Sequence, residues 1–468
     1  MSSALKFKVP NTLILVLMVM VFFAGLTWVI PGGAYERVEL NGRTAVDPDS
    51  FSYVESEPTS LTELFLAPVR GFNDPYGMSI IVFIFIVAGA FSIIQKTGAF
   101  DVVIRRAARF FSNNPAWRPV YIPFFMLFFS MMGATFGLAE ETIVFIPLFV
   151  SLSLALGYDS ITGVAVPFVG GQIGFAGAVY NPFTVGIAQG LAGLTPFSGA
   201  GLRMVMWLAM TTVGIVMVYR YAMMVYKDPA KSPVYHIDRA REQPAGDDIN
   251  KVPDITGGHV LVIGAFLLTL AVLIYGVVEL GWYIEELSGL FLALAVVSAL
   301  FGRLSGDETA GSFLNGMKDV IGAAVIIALS RSILIVVTDA QIVDTILFHL
   351  AGLLDGIGSY GSAALMLVVQ TMLNVVVPSG SGQAALTIPI MAPLGEIIGI
   401  SAQNVVLIFQ LGDGITNMII PTSGVVMGVL GMAKIPWEIW ARWLFFKLLL
   451  LYVVAIIFII TGLLIGYA

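Results

Sequence analysis

Three carboxylates, Glu140, Glu141 and Asp413, stand inside stretches that are otherwise apolar enough for a bilayer core. An acid near the membrane midplane costs at least ~2.5 kcal/mol when it has no partner, so acids are kept there where a cation or cationic group meets them. Neutral donors and acceptors lie close by: Thr135 ahead of the acidic pair, and Ser379, Ser381 and Gln383 alternating with Gly380 and Gly382. Hydroxyls, an amide and backbone N–H groups at a helix start favour a carboxylate. Together the two sets suit a small solute with a positive and a negative end. Asn181, Asn417, Thr422 and Ser423, around Pro182 and Pro421, extend the candidate binding set. Carbonyls of the runs Gly170 to Gly174 and Gly412 to Thr416, with Asn181, Thr422 or Ser423, suit Na+, because hard cations take oxygen ligands. Protons on the acids are the other candidate coupling ion, and no cofactor is expected.

Structural readings stand beside these. Glu140 or Glu141 would also serve as a helix cap, Asp413 could pair with Arg331, and Asn181-Pro182 and Pro421-Thr-Ser423 could be kinks. The glycines would also serve close helix packing.

The elements that must position these residues follow from composition. With 58% hydrophobic and 11% charged residues, the chain is far too apolar for a soluble globule, whose charged fraction is about 25%. It reads as an all-α polytopic membrane protein, placed in the plasma (inner) membrane. Spans of about 20 residues fall near 11–30, 77–97, 160–180, 203–225, 259–282, 287–303, 318–338, 402–420 and 444–467, about nine in all. Two longer stretches, 118–156 and 361–399, carry interruptions at 133–142 and 378–383 and are expected as re-entrant hairpins. Each is followed by a Pro (Pro147, Pro389), a Gly (Gly157, Gly399) and a Gly-rich helix (from Gly170 and Gly412), and each of these pairs is 242 positions apart. One unit is therefore used twice, in a first half 1–225 and a second half 259–468, and the span at 259–282 is left over. Broken apolar segments at matching places point to a secondary transporter's binding site.

Lys and Arg bias sets orientation. The segment 104–118 has four Arg and no acid, and the linker 226–258 is Lys/Arg-rich, so both are expected in the cytoplasm; the acidic loop 31–76 is expected outside. The N-terminus is then cytoplasmic and the C-terminus external, and the repeats are inverted. The first span, preceded by Lys6 and Lys8, reads as an uncleaved anchor, and the Pro-containing linker as a tether. Stretches from Thr97 and Thr338 read as interfacial arms joining scaffold and transport domains, or as ordinary connecting helices.

Among function classes, no Cys and three His leave thiolate, zinc and haem chemistry without ligands. No basic surface supports a nucleic-acid partner. An intramembrane hydrolase would use Ser381, but Ser379 stands where its motif needs Gly, and neither His259 nor His349 lies deep in a span. No Walker motif supports ATP-driven transport. Gly137-Leu-Ala-Glu-Glu141, Gly157-Tyr-Asp-Ser160, Gln172-Ile-Gly-Phe175, Asn181-Pro-Phe183, Ser379-Gly-Ser-Gly-Gln-Ala-Ala-Leu386, Pro393-Leu-Gly395, Gln410-Leu-Gly-Asp-Gly414 and Pro421-Thr-Ser423 resemble the YfcC family of the ion-transporter superfamily. The resemblance covers nearly the whole chain. It implies a scaffold-plus-transport-domain fold similar to the AbgT-type carriers and the divalent anion/sodium symporters. Members are labelled basic amino acid antiporters or dicarboxylate carriers. The expectation is a secondary carrier of a basic or zwitterionic amino acid working by an elevator movement, with a dicarboxylate as the alternative and a homodimeric scaffold as the fixed partner.

Overall fold

The computed structural model describes residues 12–467 apart from 41, 42, 48, 101, 103–105, 107, 108, 111, 112, 182, 196, 242–253 and 353–356. Lys6, Lys8, Pro182, much of the arm after Thr97 and the middle of the linker therefore lie outside the described residues.

Helices dominate because backbone in an apolar medium must satisfy its own N–H and C=O groups. Among the described residues, six helices are long and apolar enough to cross a bilayer: Pro75–Lys96, Ala200–Lys227, Ile284–Phe301, Ile321–Asp339, Ser359–Val376 and Trp437–Ile465. Hydropathy suggests nine. Five of the six match spans expected from hydropathy and the sixth, Ser359–Val376, is an arm of the second hairpin; of the four expected spans left, Thr12–Leu26 is shorter, Gly257–Leu280 forms as a 24-residue helix, and the fold interrupts the other two. One departure from all-α is local. The loop after Thr12–Leu26 carries two small antiparallel ladders, Gly33–Ala34 with Ser52–Tyr53 and Arg37–Leu40 with Arg43–Val46.

Both interruptions turn a helix back on itself. Tyr121–Phe136 ends at Gly137, whose φ of 73° is left-handed, and the chain returns through the 3-10 turn Glu140–Phe145 into Ile146–Ala155. The arms meet in antiparallel order, with the Phe129 and Phe145 rings 5.0 Å apart and the Tyr121 hydroxyl 3.1 Å from Ser153 Oγ. In the second half, Ser359–Val376 returns as Gly380–Ile397, and Gln383 Nε2 donates back to the Gln370 carbonyl.

The two helices that follow start at Ser160 and Ala402, again 242 positions apart, and run to Ala176 and Thr416. Each then breaks and resumes, as Val185–Leu191 and Gly424–Ala433. The breaks thus lie at 177–184 and 417–423, later than the Gly-rich runs expected to be unwound. Gly170, Gly174 and Gly412 are helical and serve close packing. A Cβ on Gly174 would stand 1.9 Å from the Ser130 carbonyl oxygen, one on Gly412 2.5 Å from Gln370 Cβ, and one on Gly170 3.1 Å from the Met126 carbonyl.

Two further helices, Leu61–Asn73 and Gly306–Asp319, escape hydropathy because they are amphipathic, yet each begins with a capping box, Ser60 with Glu63 and Ser305 with Glu308. The backbone N–H of Ser60 holds Glu63 below the ordinary carboxylate range, and that of Ser305 does the same for Glu308. Contacts are exchanged between the halves. Thr12–Leu26 and Leu61–Asn73 pack on Ile321–Asp339, while Ile284–Phe301 and Gly306–Asp319 pack on Pro75–Lys96. Gly257–Leu280, packed on Ile284–Phe301, is the leftover span that the repeat leaves unmatched.

The linker is less free than a tether. Tyr221 and Ser232 hydroxyls donate to the buried Asp159 carboxylate, the Ser160 N–H donates to Asp238, and Arg241 donates to the Ala433 carbonyl at 2.5 Å. Residues 228–241 are thereby held against both broken helices.

The reciprocal packing depends on two glycines. A Cβ on Gly71 would stand 2.1 Å from the Ala328 carbonyl oxygen, and one on Gly316 2.3 Å from that of Ala88. Overpacking of this kind costs about 1–3 kcal/mol. Gly71→Val and Gly316→Leu should therefore each lower the melting temperature in detergent. Unchanged melting in both would show that the contacts yield.

Candidate functional site

The two hairpin tips, the first broken helix and the starts of Pro75–Lys96 and Ile284–Phe301 enclose a cavity of about 360 Å³. The first tip contributes Gly137, Ala139, Glu140 and Glu141; the second contributes Pro378, Ser379, Gly380 and Ser381. Gln172, Phe175 and Thr184 line it from the first broken helix and its break, Asn417, Ser423 and Val425 from the second, and Tyr76 and Tyr283 from the wall.

Each acid has a different environment. Glu140 Oε1 accepts from the Tyr76 hydroxyl at 2.6 Å and from the Tyr283 hydroxyl at 3.2 Å. Glu141 is 5% exposed, and its Oε2 accepts from the Ala139 N–H at 3.0 Å. Asp413 is fully buried just behind the cavity; its Oδ1 accepts from Asn417 Nδ2 at 3.0 Å, and its Oδ2 has no donor among the described residues. A Cβ on Gly380 would lie 3.2 Å from that Oδ2 and 2.6 Å from Thr184 Cγ2, so only a glycine at the tip lets backbone come this close. Arg331 does not pair with Asp413: its guanidinium bonds Asp74 at 2.6 and 3.1 Å. Among the described residues, no Lys, Arg or His lines the cavity.

At the second tip, Ser379 caps Gly380–Ile397, accepting from the Gly382 N–H. This start of an 18-residue helix presents partial positive charge to the cavity. In the second break, most of the carbonyls of 418–421 are met by donors from other parts of the fold. Trp440 donates to the Met418 carbonyl, Trp437 to that of Ile419, Ser330 to that of Pro421 and the Ser423 N–H to that of Ile420.

Of the residues singled out from the sequence, Glu140, Glu141, Ser379, Gly380, Ser381, Asn417 and Ser423 line the cavity, with Asp413 directly behind. Others stand apart. Thr135 turns its hydroxyl to the Met131 carbonyl, Gln383 ties the second hairpin's arms together, and Thr416 bonds Tyr452 and the Gly412 carbonyl. Gly382 lies one residue beyond the lining, Thr422 is buried outside it, and Asn181 accepts from the Phe183 N–H beside the first tip. Helical Gly170, Gly174 and Gly412 offer no unwound carbonyls for a cation. Sequence reasoning missed Tyr76, Thr184 and Tyr283. Aromatic residues at span ends read as interface anchors, and only the fold turns two of them inward.

Comparison with known proteins places this geometry in context. The family model DcuC, C4-dicarboxylate anaerobic carrier, matches residues 9–464. A protein of Escherichia coli (strain K12) named "Putative basic amino acid antiporter YfcC" is 34% identical over 99% of this chain and 98% of its own length. An uncharacterized protein of Haemophilus influenzae is 27% identical over 93% of each chain. Among solved structures, the YdaH transporter of Alcanivorax borkumensis aligns over 98% of this chain and 99% of its own at 17% identity and a TM-score of 0.43. MtrF of Neisseria gonorrhoeae, described among antimetabolite efflux pumps, aligns over 97% and 95% at 16% identity, also with a TM-score of 0.43.

The closeness of Gly380 to Asp413 is testable. Gly380→Val puts a branched side chain against Thr184 and Asp413 and should weaken solute binding by about tenfold or more, the equivalent of the ~1–3 kcal/mol of an overpacked contact. Binding at the original strength, with an intact melting transition, would show that the second tip does not bound the site.

Proposed function

This chain belongs to the C4-dicarboxylate anaerobic carrier (DcuC) family and is a membrane transporter rather than an enzyme, and from that premise we propose that it carries a basic or zwitterionic amino acid across the inner membrane. The observation that carries the reading is the charge of the cavity wall. Two carboxylates line it, a third stands behind, and among the described residues no cationic side chain lines it. A substrate amino or guanidinium group would sit at Glu140 and Glu141, and its carboxylate at the hydroxyls and N–H groups of Ser379 to Ser381. The same substrate class appears in the name of the E. coli relative.

A dicarboxylate is the second reading, favoured by the family's description. It would need the acids to be neutralised by coupling cations, and Asp413, with one oxygen lacking a donor among the described residues, is the group we assign to Na+ or H+. The Na+ site expected from carbonyls of the Gly-rich runs together with Asn181, Thr422 or Ser423 is not kept, because those runs are helical. Proteoliposome uptake of labelled lysine, arginine and succinate, with Na+ or choline and with or without a pH gradient, separates these readings. The expected result is lysine or arginine uptake or exchange that succinate does not inhibit. Glu141→Gln or Asp413→Asn should lower it by about tenfold or more, since a charge-assisted contact contributes roughly 1.5–3 kcal/mol. Succinate transport without amino acid transport would replace the first reading by the second.

For the mechanism, the hairpins and broken helices slide as one body against a scaffold built from the spans near 11–30, 77–97, 259–282, 287–303 and 318–338, with the N-terminus cytoplasmic, the C-terminus external and the scaffold dimeric. Asp319 and Lys434 pair at 3.0 Å across the proposed seam and are both 56% exposed. Cysteines at these two positions, in a chain with none of its own, joined by a short bis-methanethiosulfonate, should stop transport until a reductant is added. Full activity of the joined protein would favour local opening of a hairpin instead.

A further inference from the structure

We propose that Glu140 is a latch, and that Tyr76 and Tyr283 are the positioning residues that close it: a cationic group entering the cavity takes Glu140 from the two phenols, and only then does the first hairpin tip leave the wall. The proposal rests on the amino acid reading for the identity of that cationic group, but not for the latch itself.

The contacts cross between two parts of the fold. Glu140 opens the return segment of the first hairpin, whereas Tyr76 is the second residue of Pro75–Lys96 and Tyr283 caps Ile284–Phe301. Those two helices pack on each other and form one wall. The 2.6 Å contact from Tyr76 lies in the short range typical of a hydroxyl donating to a carboxylate, and Tyr283 reaches the same oxygen at 3.2 Å.

Tyr76 is held in place to make this bond. The Arg331 guanidinium lies 5.2 Å from its ring centroid and is itself anchored by both oxygens of Asp74, while Asp74 Oδ1 also accepts from the Gly77 N–H at 2.7 Å. Tyr283 is set by its own capping bond, its N–H donating to Glu286 at 3.0 Å. The Arg331 cation is thus committed to Asp74 and, among the described residues, meets Glu140 only through a phenol.

The functional consequence follows from the chemistry of the donors. A phenol is a neutral donor, whereas an ammonium or guanidinium brings a full charge to the same carboxylate. A ligand shifts a conformational equilibrium only through its different affinity for the two states. With Glu140 occupied by the phenols, an incoming cation binds less well to the latched state than to the released one, so loading favours release. The empty carrier stays closed at this tip, which suppresses movement without cargo and favours exchange.

The test reads tip movement directly and needs no substrate. Ile143, in the turn that begins with Glu140 and packs on Pro75–Lys96, is fully buried. With Ile143→Cys as the single thiol, in nanodiscs without added solute, maleimide labelling should accelerate about tenfold or more on Tyr76→Phe, the effect of losing one charge-assisted hydrogen bond. Tyr283→Phe should act in the same direction. Because Tyr76 acts through Glu140, the Tyr76→Phe/Glu140→Gln pair should label no faster than the quicker of the two single variants. A merely structural role would instead lower the melting temperature and speed labelling at a buried thiol away from the tip, Ala455→Cys in Trp437–Ile465, as well. Wild-type labelling rates at Ile143→Cys in both tyrosine variants would overturn the latch. In a second arm, lysine added to the reporter with both tyrosines intact should speed labelling, and succinate should not. If lysine has no effect while Tyr76→Phe does, the latch stands and the amino acid reading falls.

Discussion

Polar groups that enter the apolar body of this protein must find partners within it, and the demand is greatest where helices stop short of a membrane face. Four such places converge here, two hairpin tips and two broken helices. Their backbone groups are met largely by side chains from elsewhere in the fold. Trp437 and Trp440 of the last helix donate to the second break, Asn374 of the second hairpin donates to the Asp413 carbonyl, and Gln410 of the second broken helix donates to the Phe175 carbonyl of the first. The interruptions are consequently rigid, internally bonded features, and the groups left over at their meeting point form the cavity.

Close packing makes this convergence possible. Small residues let the broken helices approach the hairpins until backbone touches backbone, as at Gly174 against Ser130 and Gly412 against Gln370. A second set, Gly71 and Gly316, lets each half lend helices to the other's wall. The repeat thereby does more than duplicate a binding element. It places one acidic tip and one hydroxyl-rich tip on opposite sides of a single cavity, giving it poles of opposite preference from two similar units. Arg331 is held by Asp74, and Glu140 of the acidic tip meets phenol donors instead.

Much of this was legible in the sequence. Composition and span length determined a helical membrane protein, because an apolar surround leaves backbone few alternatives. The 242-residue spacing announced corresponding elements in the two halves with one span left over, and three acids beside interrupted helices pointed to the place where the fold has its candidate cavity. Other features could have been read and were not: Ser60 with Glu63 and Ser305 with Glu308 announce two amphipathic helices that hydropathy passes over. Tertiary structure alone decided which polar residues face the cavity. Thr135 and Gln383 carry suitable chemistry, but one turns to its own helix and the other to the neighbouring arm, whereas Tyr76 and Tyr283, far apart in the chain, meet on one carboxylate oxygen. Residue type states what a side chain can bond. Which bond it makes depends on how close the packing of distant helices brings its competitors, and no local pattern of residues carries that distance.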